Sequence, residues 1–309
     1  MNPFKYSSDN KRYHTYSYAL KQKYKAKVAK VPLNAGFTCP NRDGTLSTKG
    51  CLFCSESGSG EQIMHPEKSL ETQYYAGIKK LKKWKNAKYL AYFQSFSNTY
   101  ASIDRLREIY DSVLTFEGLC GIVIATRSDC INPEIADLLA GFAQKTDITI
   151  ELGLQTIHDK TNREMNRFEG FNQFEKAVNL LKSHNLSVWT HLLNGLPNET
   201  HDMMLESAKV IGKMGINGVK IHCLYYLKDT WFGEKYAHFA LQKDEYINIV
   251  CNQLEVLPEN IVIGRLTGDA PRDKLLAPSW TARKREVLND IDKELLRRDS
   301  MQGKYAHLS

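Results

Sequence analysis

From about residue 86 to 226 the chain alternates short, β-rich apolar runs with longer stretches whose apolar residues recur every three or four positions. That rhythm predicts successive βα units and a parallel sheet. Residues 89–96 predict a strand, and the stretch after them sets Leu106, Ile109, Tyr110, Val113 and Leu114 on one helical face. Residues 121–125 predict a second strand; Asn132-Pro133 then supplies an N-cap and a first-turn proline for a helix through Leu139. A third strand is expected over 148–154, followed by a helix with Phe171, Phe174, Val178 and Leu181 as its stripe. Tyr74, Ile78 and Leu81 form a similar packing stripe earlier in the chain. A fourth strand over 188–193 leads to a helix over about 200–214 that stops near Gly215. Residues 218–226 predict a fifth strand, and a further one is expected near 31–34.

About six βα units are too few for a closed eight-fold barrel, so the expected fold is α/β, a partial (β/α)6 barrel of the TIM type with extensions at both ends. The expected division is a basic N-terminal extension over 1–30, a core barrel over 31–238 and a C-terminal, substrate-contacting extension over 239–309. In such architectures chemistry sits at the C-terminal ends of the strands. Gln94-Ser95, Thr126-Arg127, Gln155, Asn194-Gly195 and His222 fall there. Beyond Phe239 the rhythm fades into a polar stretch and a basic helix striped with Val287, Leu288, Ile291 and Leu295, which reads as an appendage.

Composition narrows the class of protein. The 309 residues are 42% hydrophobic and 25% charged, ordinary for a soluble globular chain. No apolar run approaches the ~20 residues that span a bilayer, and the start, MNPFKYSSDNKRYHTY, has no signal-type apolar core. The expectation is a cytoplasmic, reducing location without membrane association. Seven cysteines there point to metal ligation or chemistry rather than to disulfides. The net charge of +7 is uneven: lysines crowd at 21, 23, 25, 27 and 30, and again at 79, 80, 82, 83, 85 and 88. A third basic group comprises Arg283, Lys284, Arg285, Lys293, Arg297 and Arg298. Such groups either contact nucleic-acid phosphates or form a solvated face, and charge alone leaves both readings open.

Cys39, Cys51 and Cys54 share one loop with the spacing C-x11-C-x2-C. Three thiolates on a loop can grip three irons of a cubane and leave the fourth without a protein ligand. An amino acid's amine and carboxylate, such as the methionyl end of S-adenosylmethionine (SAM), can take that open corner, and one electron from the cluster can break the sulfonium C–S bond. The competing reading is structural zinc, which usually takes four ligands in paired short motifs; His65 would have to complete a Cys3His set.

The C-x2-C with Phe53 before its last cysteine, together with parallel βα units, resembles the radical SAM superfamily, and the wide first gap resembles the branch of the Elongator catalytic subunit. QSFSNTY at 94–100, IATRSDC at 124–130, ELGLQT at 151–156, GLPNET at 195–200, KIHCLYYLKDT at 220–230 and RLTGDAPRD at 265–273 resemble the YhcC/YtqA (MnmL-type) family. The resemblance implies the partial barrel, one [4Fe–4S] cluster on Cys39, Cys51 and Cys54, and SAM as cofactor. It implies action on the wobble uridine of tRNA, docked through its anticodon arm, turning a carboxymethylaminomethyl group into aminomethyl. It further implies an electron donor such as flavodoxin or ferredoxin and a functional link to a tRNA methyltransferase.

Carried over position by position, it places Gln94 and Ser95 where relatives often have Gly-Gly-Glu against the methionine amine. It leaves Ala125 where an acid is common, which shifts weight to Thr126 or Glu151. Gln155 and Arg167 match SAM-contacting residues, His191 stands where relatives have Asp, and Leu196 would face adenine. Glu151 as a buried acid paired with a base, Arg167 on a surface and Arg127 paired with Asp129 are the plain alternatives. Tyr92, Phe93, Tyr225, Tyr226 and Trp231 are candidates to line the lumen; His222, Tyr225, Arg265, Asp269 and Arg272 are candidates to meet the substrate. The competing functions are a radical SAM enzyme of a small molecule or peptide and a zinc-binding RNA-binding protein.

Overall fold

A computed structural model describes residues 2–55, 58, 63–81 and 86–307, so Lys82, Lys83 and Lys85 of the second basic group lie outside the described residues. The chain divides into two compact units. The first comprises Leu20–Gly153 and Asn166–Trp189; the second comprises Met1–Ala19, Leu154–Met165 and Thr190–Ser309. Among the described residues no helix is long and apolar enough to cross a membrane.

In chain order the elements are α1 (Tyr16–Tyr24), β1 (Val28–Leu33), α2 (Leu70–Lys79), β2 (Lys88–Phe93), α3 (Ile103–Val113), β3 (Leu119–Thr126), α4 (Pro133–Ala143) and β4 (Asp147–Gln155). Then come α5 (Asp159–Glu164), α6 (Phe171–Ser183), β5 (Ser187–Asn194), α7 (His201–Lys213), β6 (Gly218–Cys223) and β7 (Tyr226–Leu227). The chain continues through α8 (Trp231–Tyr236), α9 (Lys243–Val256), β8 (Val262–Arg265), β9 (Leu275–Ala277) and α10 (Lys284–Arg297). One sheet of seven strands runs β1-β2-β3-β4-β5-β6-β8, and its β1–β2, β2–β3, β3–β4 and β6–β8 pairs are parallel. The α/β partial barrel is therefore present, with a seventh strand, β8, in the region where the sequence rhythm fades.

Local chemistry explains most boundaries. Asn132 caps α4 by accepting from the Ile135 N–H, with Pro133 at the first position. Thr200 caps α7 through the Met203 N–H, and Gly215, at φ 64°, follows its end. Gln242 and Glu245 form a reciprocal capping box on α9. β2 stops three residues short of the expected 96 because Ser95 and Phe96 turn into the left-handed region, at φ 27° and 61°. The fifth expected strand divides: β6 ends at Cys223, and Tyr226–Leu227 pair antiparallel with Leu275–Ala277 instead.

In the first unit the strand register sets Leu33, Phe93, Ile124 and Ile150 in one row, each wholly buried. Burying one such side chain stabilises by ~1.5–3 kcal/mol. This is the helix-facing side, since Phe93 packs edge-on against Tyr110 of α3 at 5.3 Å. Phe93 therefore does not belong to the lumen set expected from sequence. Gly77 of α2 lies so close to Val31 that a Cβ would come 2.5 Å from its methyl. The opposite side of the sheet carries Lys30, Tyr92 and Glu151, one residue out of phase with the apolar rows.

Candidate active site

Each strand of the seven-stranded sheet is followed by, or ends in, a segment singled out in the sequence. Residues 39–54 come after β1 and 94–100 after β2; 124–130 close β3 and 151–156 close β4. Residues 195–200 follow β5, 220–230 run out of β6, and 265–273 out of β8. The chemistry-bearing residues thus share the strands' C-terminal ends, where parallel barrels carry their sites.

In the first unit, the eleven residues between Cys39 and Cys51 fold on themselves. The Cys39 carbonyl accepts from the Arg42 and Asp43 N–H groups, Pro40 O from Leu46 N, and Asn41 O from Gly50 N. Cys54 N donates to Cys51 O at 3.0 Å, and Arg42 Nη2 donates to Cys54 O at 2.9 Å and Ser55 O at 2.5 Å. Asn166, at φ 56°, anchors the far side with Nδ2 on Gly50 O at 2.6 Å. The wholly buried Asn41 donates from Nδ2 to Asn166 O at 2.7 Å and to Cys51 Sγ at 3.3 Å. Burial pushes the Cys54 thiol up to about 11, with Cys51 and Cys39 adding to the rise and Arg42 opposing it. Cys54 thus lies within electrostatic reach of both other sulfurs, although no group of three or more His, Cys, Asp or Glu among the described residues is arranged to hold a metal ion as it stands. The other cysteines, Cys120, Cys130, Cys223 and Cys251, are raised chiefly by burial and sit apart on strands and helices. His65 is exposed and pairs with Glu67 at 3.6 Å.

The segment after β2 is stitched to this loop. Phe96 N donates to Gly58 O and Ser97 N to Thr38 O, at 3.3 and 3.1 Å. Ser95 is buried and strained, and its hydroxyl has no hydrogen-bond partner among the described residues. Left-handed non-glycine residues cost on the order of 1–3 kcal/mol and gather at functional sites. Asn98 donates to Ala125 O at 2.8 Å, and the Thr126 hydroxyl bonds that of Thr99 at 2.6 Å.

Four charges cross the ends of β3 and β4. Arg127 grips Asp129 with two N–H groups, Nε at 2.8 Å, and stands 3.5 Å from Glu169. Arg167 donates to Glu169 at 2.6 Å and to Gly153 O. Glu169 also accepts from Ser128 N at 2.8 Å, and Arg127 Nη1 lies 4.0 Å from Cys51 Sγ. Arg167, placed on a surface in one reading of the sequence, is buried. Lys30, counted in the first lysine group, points inward: its Nζ meets the wholly buried Glu151 at 2.6 Å, 4.6 Å above the Tyr92 ring. Gln94, half-buried, takes up the strand end through its N–H to Leu33 O.

In the second unit, Gln155 ends β4 at φ 72° and Leu196 is buried. His191 and His222, on β5 and β6, hold their rings 5.4 Å apart. Glu199 is raised by burial, opposed by bonds from Thr156 and Thr161 and by His158; nothing in its surroundings along the chain marks it beyond its place in GLPNET. Asp269 is bracketed by Arg265 at 3.0 Å and Lys284 at 2.8 Å, and Arg272 donates to Ala282 O. The ring of half-buried Tyr225 lies below Gly268. Tyr226 is buried against Phe232, while Trp231 is largely exposed.

Comparison with known proteins agrees with this geometry. Residues 38–211 match the radical SAM superfamily and 216–297 the radical SAM C-terminal domain. The chain belongs to the radical SAM superfamily, and its cofactors are a [4Fe–4S] cluster and SAM. It is 44% identical to YtqA of Bacillus subtilis (strain 168) over 308 residues, 98% of this chain and 96% of that protein. It is 31% identical to YhcC of Escherichia coli (strain K12), covering 89% of this chain and 90% of that one. Among solved structures, the archaeal Elp3 of Methanocaldococcus infernus has the same fold, with TM-score 0.67 at 17% identity, over 90% of this chain and 64% of that one.

The residues fit both cofactors. Three thiols on one loop, with the Asn41 amide and the Arg127 guanidinium beside Cys51 and Arg42 beside Cys54, can carry the negative charge of an iron–sulfur cube. The orphaned Ser95 hydroxyl at the end of β2 can accept from an amine.

Proposed function

We propose that this radical SAM enzyme acts on tRNA, converting the carboxymethylaminomethyl group at C5 of the wobble uridine to aminomethyl. The observation that carries the reading is the placement of all six family-like segments, and the cysteine loop, at strand C-terminal ends. When bound, the cluster and SAM supply one-electron chemistry that can break an unactivated C–H bond; the electron comes from a donor such as flavodoxin or ferredoxin. Cys39, Cys51 and Cys54 would hold the cluster. Ser95 and Gln94 would accept from the methionine amine, and Arg167 would meet its carboxylate. Gln155, His191 and Leu196 would contact the ribose and adenine, and Thr126 or Glu151 would make the cofactor contact that an acid at position 125 makes in relatives. Apolar and aromatic strand residues exclude water from the reacting carbon.

The wobble base is splayed from the anticodon loop and presented at the strand ends. His222, Tyr225, Arg265 and Arg272 recognise it, with Asp269 holding Arg265. Lys23, Lys27 and Lys88 are not the docking surface for that step. Lys88 opens β2, Lys27 precedes β1, and Lys23 pairs at 2.8 Å with Asp147 at the start of β4, all at the strands' N-terminal ends. On α10, Arg283, Lys293, Arg297 and Arg298 pair with Glu286, Asp290 and Glu294. This internal neutralisation favours a second reading, a small-molecule or peptide substrate.

Nucleoside mass spectrometry of tRNA from a deletion strain decides between them. Accumulated carboxymethylaminomethyluridine supports the tRNA reading, and an unchanged profile retires it. Purified protein is also expected to bind bulk tRNA with a steep salt dependence; no binding at low salt supports the small-molecule reading.

A further inference from the structure

Among the three loop cysteines, Cys51 has a double set of donors. Asn41 Nδ2 lies 3.3 Å from its sulfur and Arg127 Nη1 4.0 Å. Both donors are themselves held from behind. Asn41 is wholly buried and its amide also binds Asn166 O. Arg127 is clamped by Asp129, and Glu169 stands 3.5 Å away, tied to Ser128 N and Arg167. Carboxylates that orient a group touching a metal ligand act on the metal through it. A packing role alone would not require a buried guanidinium beside a sulfur, with two acids balancing it.

We infer that Asn41 and Arg127 are positioning residues for Cys51 whose N–H groups, directed at its sulfur, raise the reduction potential of the cluster. The inference rests on the reading of Cys39, Cys51 and Cys54 as cluster ligands. Reduction adds negative charge that is shared with the sulfurs, and a donor or cation beside a sulfur stabilises the reduced form more than the oxidised one. Cys54 has a weaker counterpart in Arg42, whose Nη2 donates to its carbonyl at 2.9 Å rather than to its sulfur.

The test is a redox titration, followed by electron paramagnetic resonance, of anaerobically reconstituted full-length protein. Asn41→Leu removes one donor at similar volume. The pair Arg127→Gln with Asp129→Asn removes the second while leaving no single buried charge unpaired. Each is expected to keep its iron and its reduced-cluster signal, while the ratio of reduced to oxidised cluster at a fixed potential falls about tenfold, equivalent to 59 mV for one electron. Arg127→Lys, which keeps the charge, is expected to recover part of that loss. An unchanged ratio with full iron overturns the inference, as does loss of iron from a variant that still folds. Failure of the parent protein itself to take up iron is a different result: it removes the cluster reading, and the inference falls with it.

Discussion

In the unit that carries the cysteine loop, Arg127, Asp129, Arg167 and Glu169 each expose less than a tenth of their side chains and are joined in one array. In the other unit, Arg265, Asp269 and Lys284 make an equally short-range array with a third or more of each side chain exposed. The same residue types therefore do different work. Buried charges must be matched almost completely, so they fix a geometry; half-exposed ones are screened by water and exchange partners at little cost. The first array stands beside Cys51, where a fixed geometry is useful. The second ties the end of β8 to α10 and stays within reach of solvent.

The sharpest way to break this contrast is at the sulfur. Cys51→Ser is expected to abolish iron uptake and product formation, measured by iron analysis and turnover, whereas Cys251→Ser on α9 keeps both. Next, Arg127→Ala leaves Asp129 buried without its cation, Glu169 keeping Arg167, and is expected to cost about 3–5 kcal/mol in chemical denaturation. A loss below ~1 kcal/mol would mean that the buried array does not constrain the fold.

Glu199 separates the units by pH. Its carboxyl is raised above the usual value by burial, so the folded state holds the proton more tightly than the unfolded chain does. Stability then falls as pH climbs from the unfolded glutamate value through the raised folded one. Glu199→Gln is expected to increase Tm at pH 7, with the gain fading as pH falls below the usual glutamate range; melts across pH that show a lower Tm at neutrality would contradict this. The smallest effect belongs to the exposed array: Asp269→Asn should change stability by only about 0–1 kcal/mol, while a shift in KM would show that Arg265 meets substrate.

Much of the barrel was legible because its signals are local. The stripe Leu106, Ile109, Tyr110 and Val113 is buried as its spacing requires, and Asn132 and Thr200 cap helices where their side chains predict. β8 escaped notice because four residues, Val262–Arg265, are too few to show a period. The early end of β2 is hidden for another reason: neither Ser95 nor Phe96 is a type that favours the left-handed backbone they adopt, which is imposed by what surrounds them. The cysteine spacing announced its chemistry, but Asn41 and Asn166 look like solvent-facing loop residues in the sequence. Only the folding of the loop onto itself buries Asn41 against a sulfur. Lys30 misleads in the same way, sitting in a run of lysines yet alternating into the sheet to meet Glu151.

The account depends on three sulfurs holding iron. Metal analysis of anaerobically reconstituted protein tests it most directly: about four irons per chain, lost when Cys39, Cys51 or Cys54 is replaced by serine, is the expected result. One zinc per chain with no iron, or full iron in those serine variants, would contradict it.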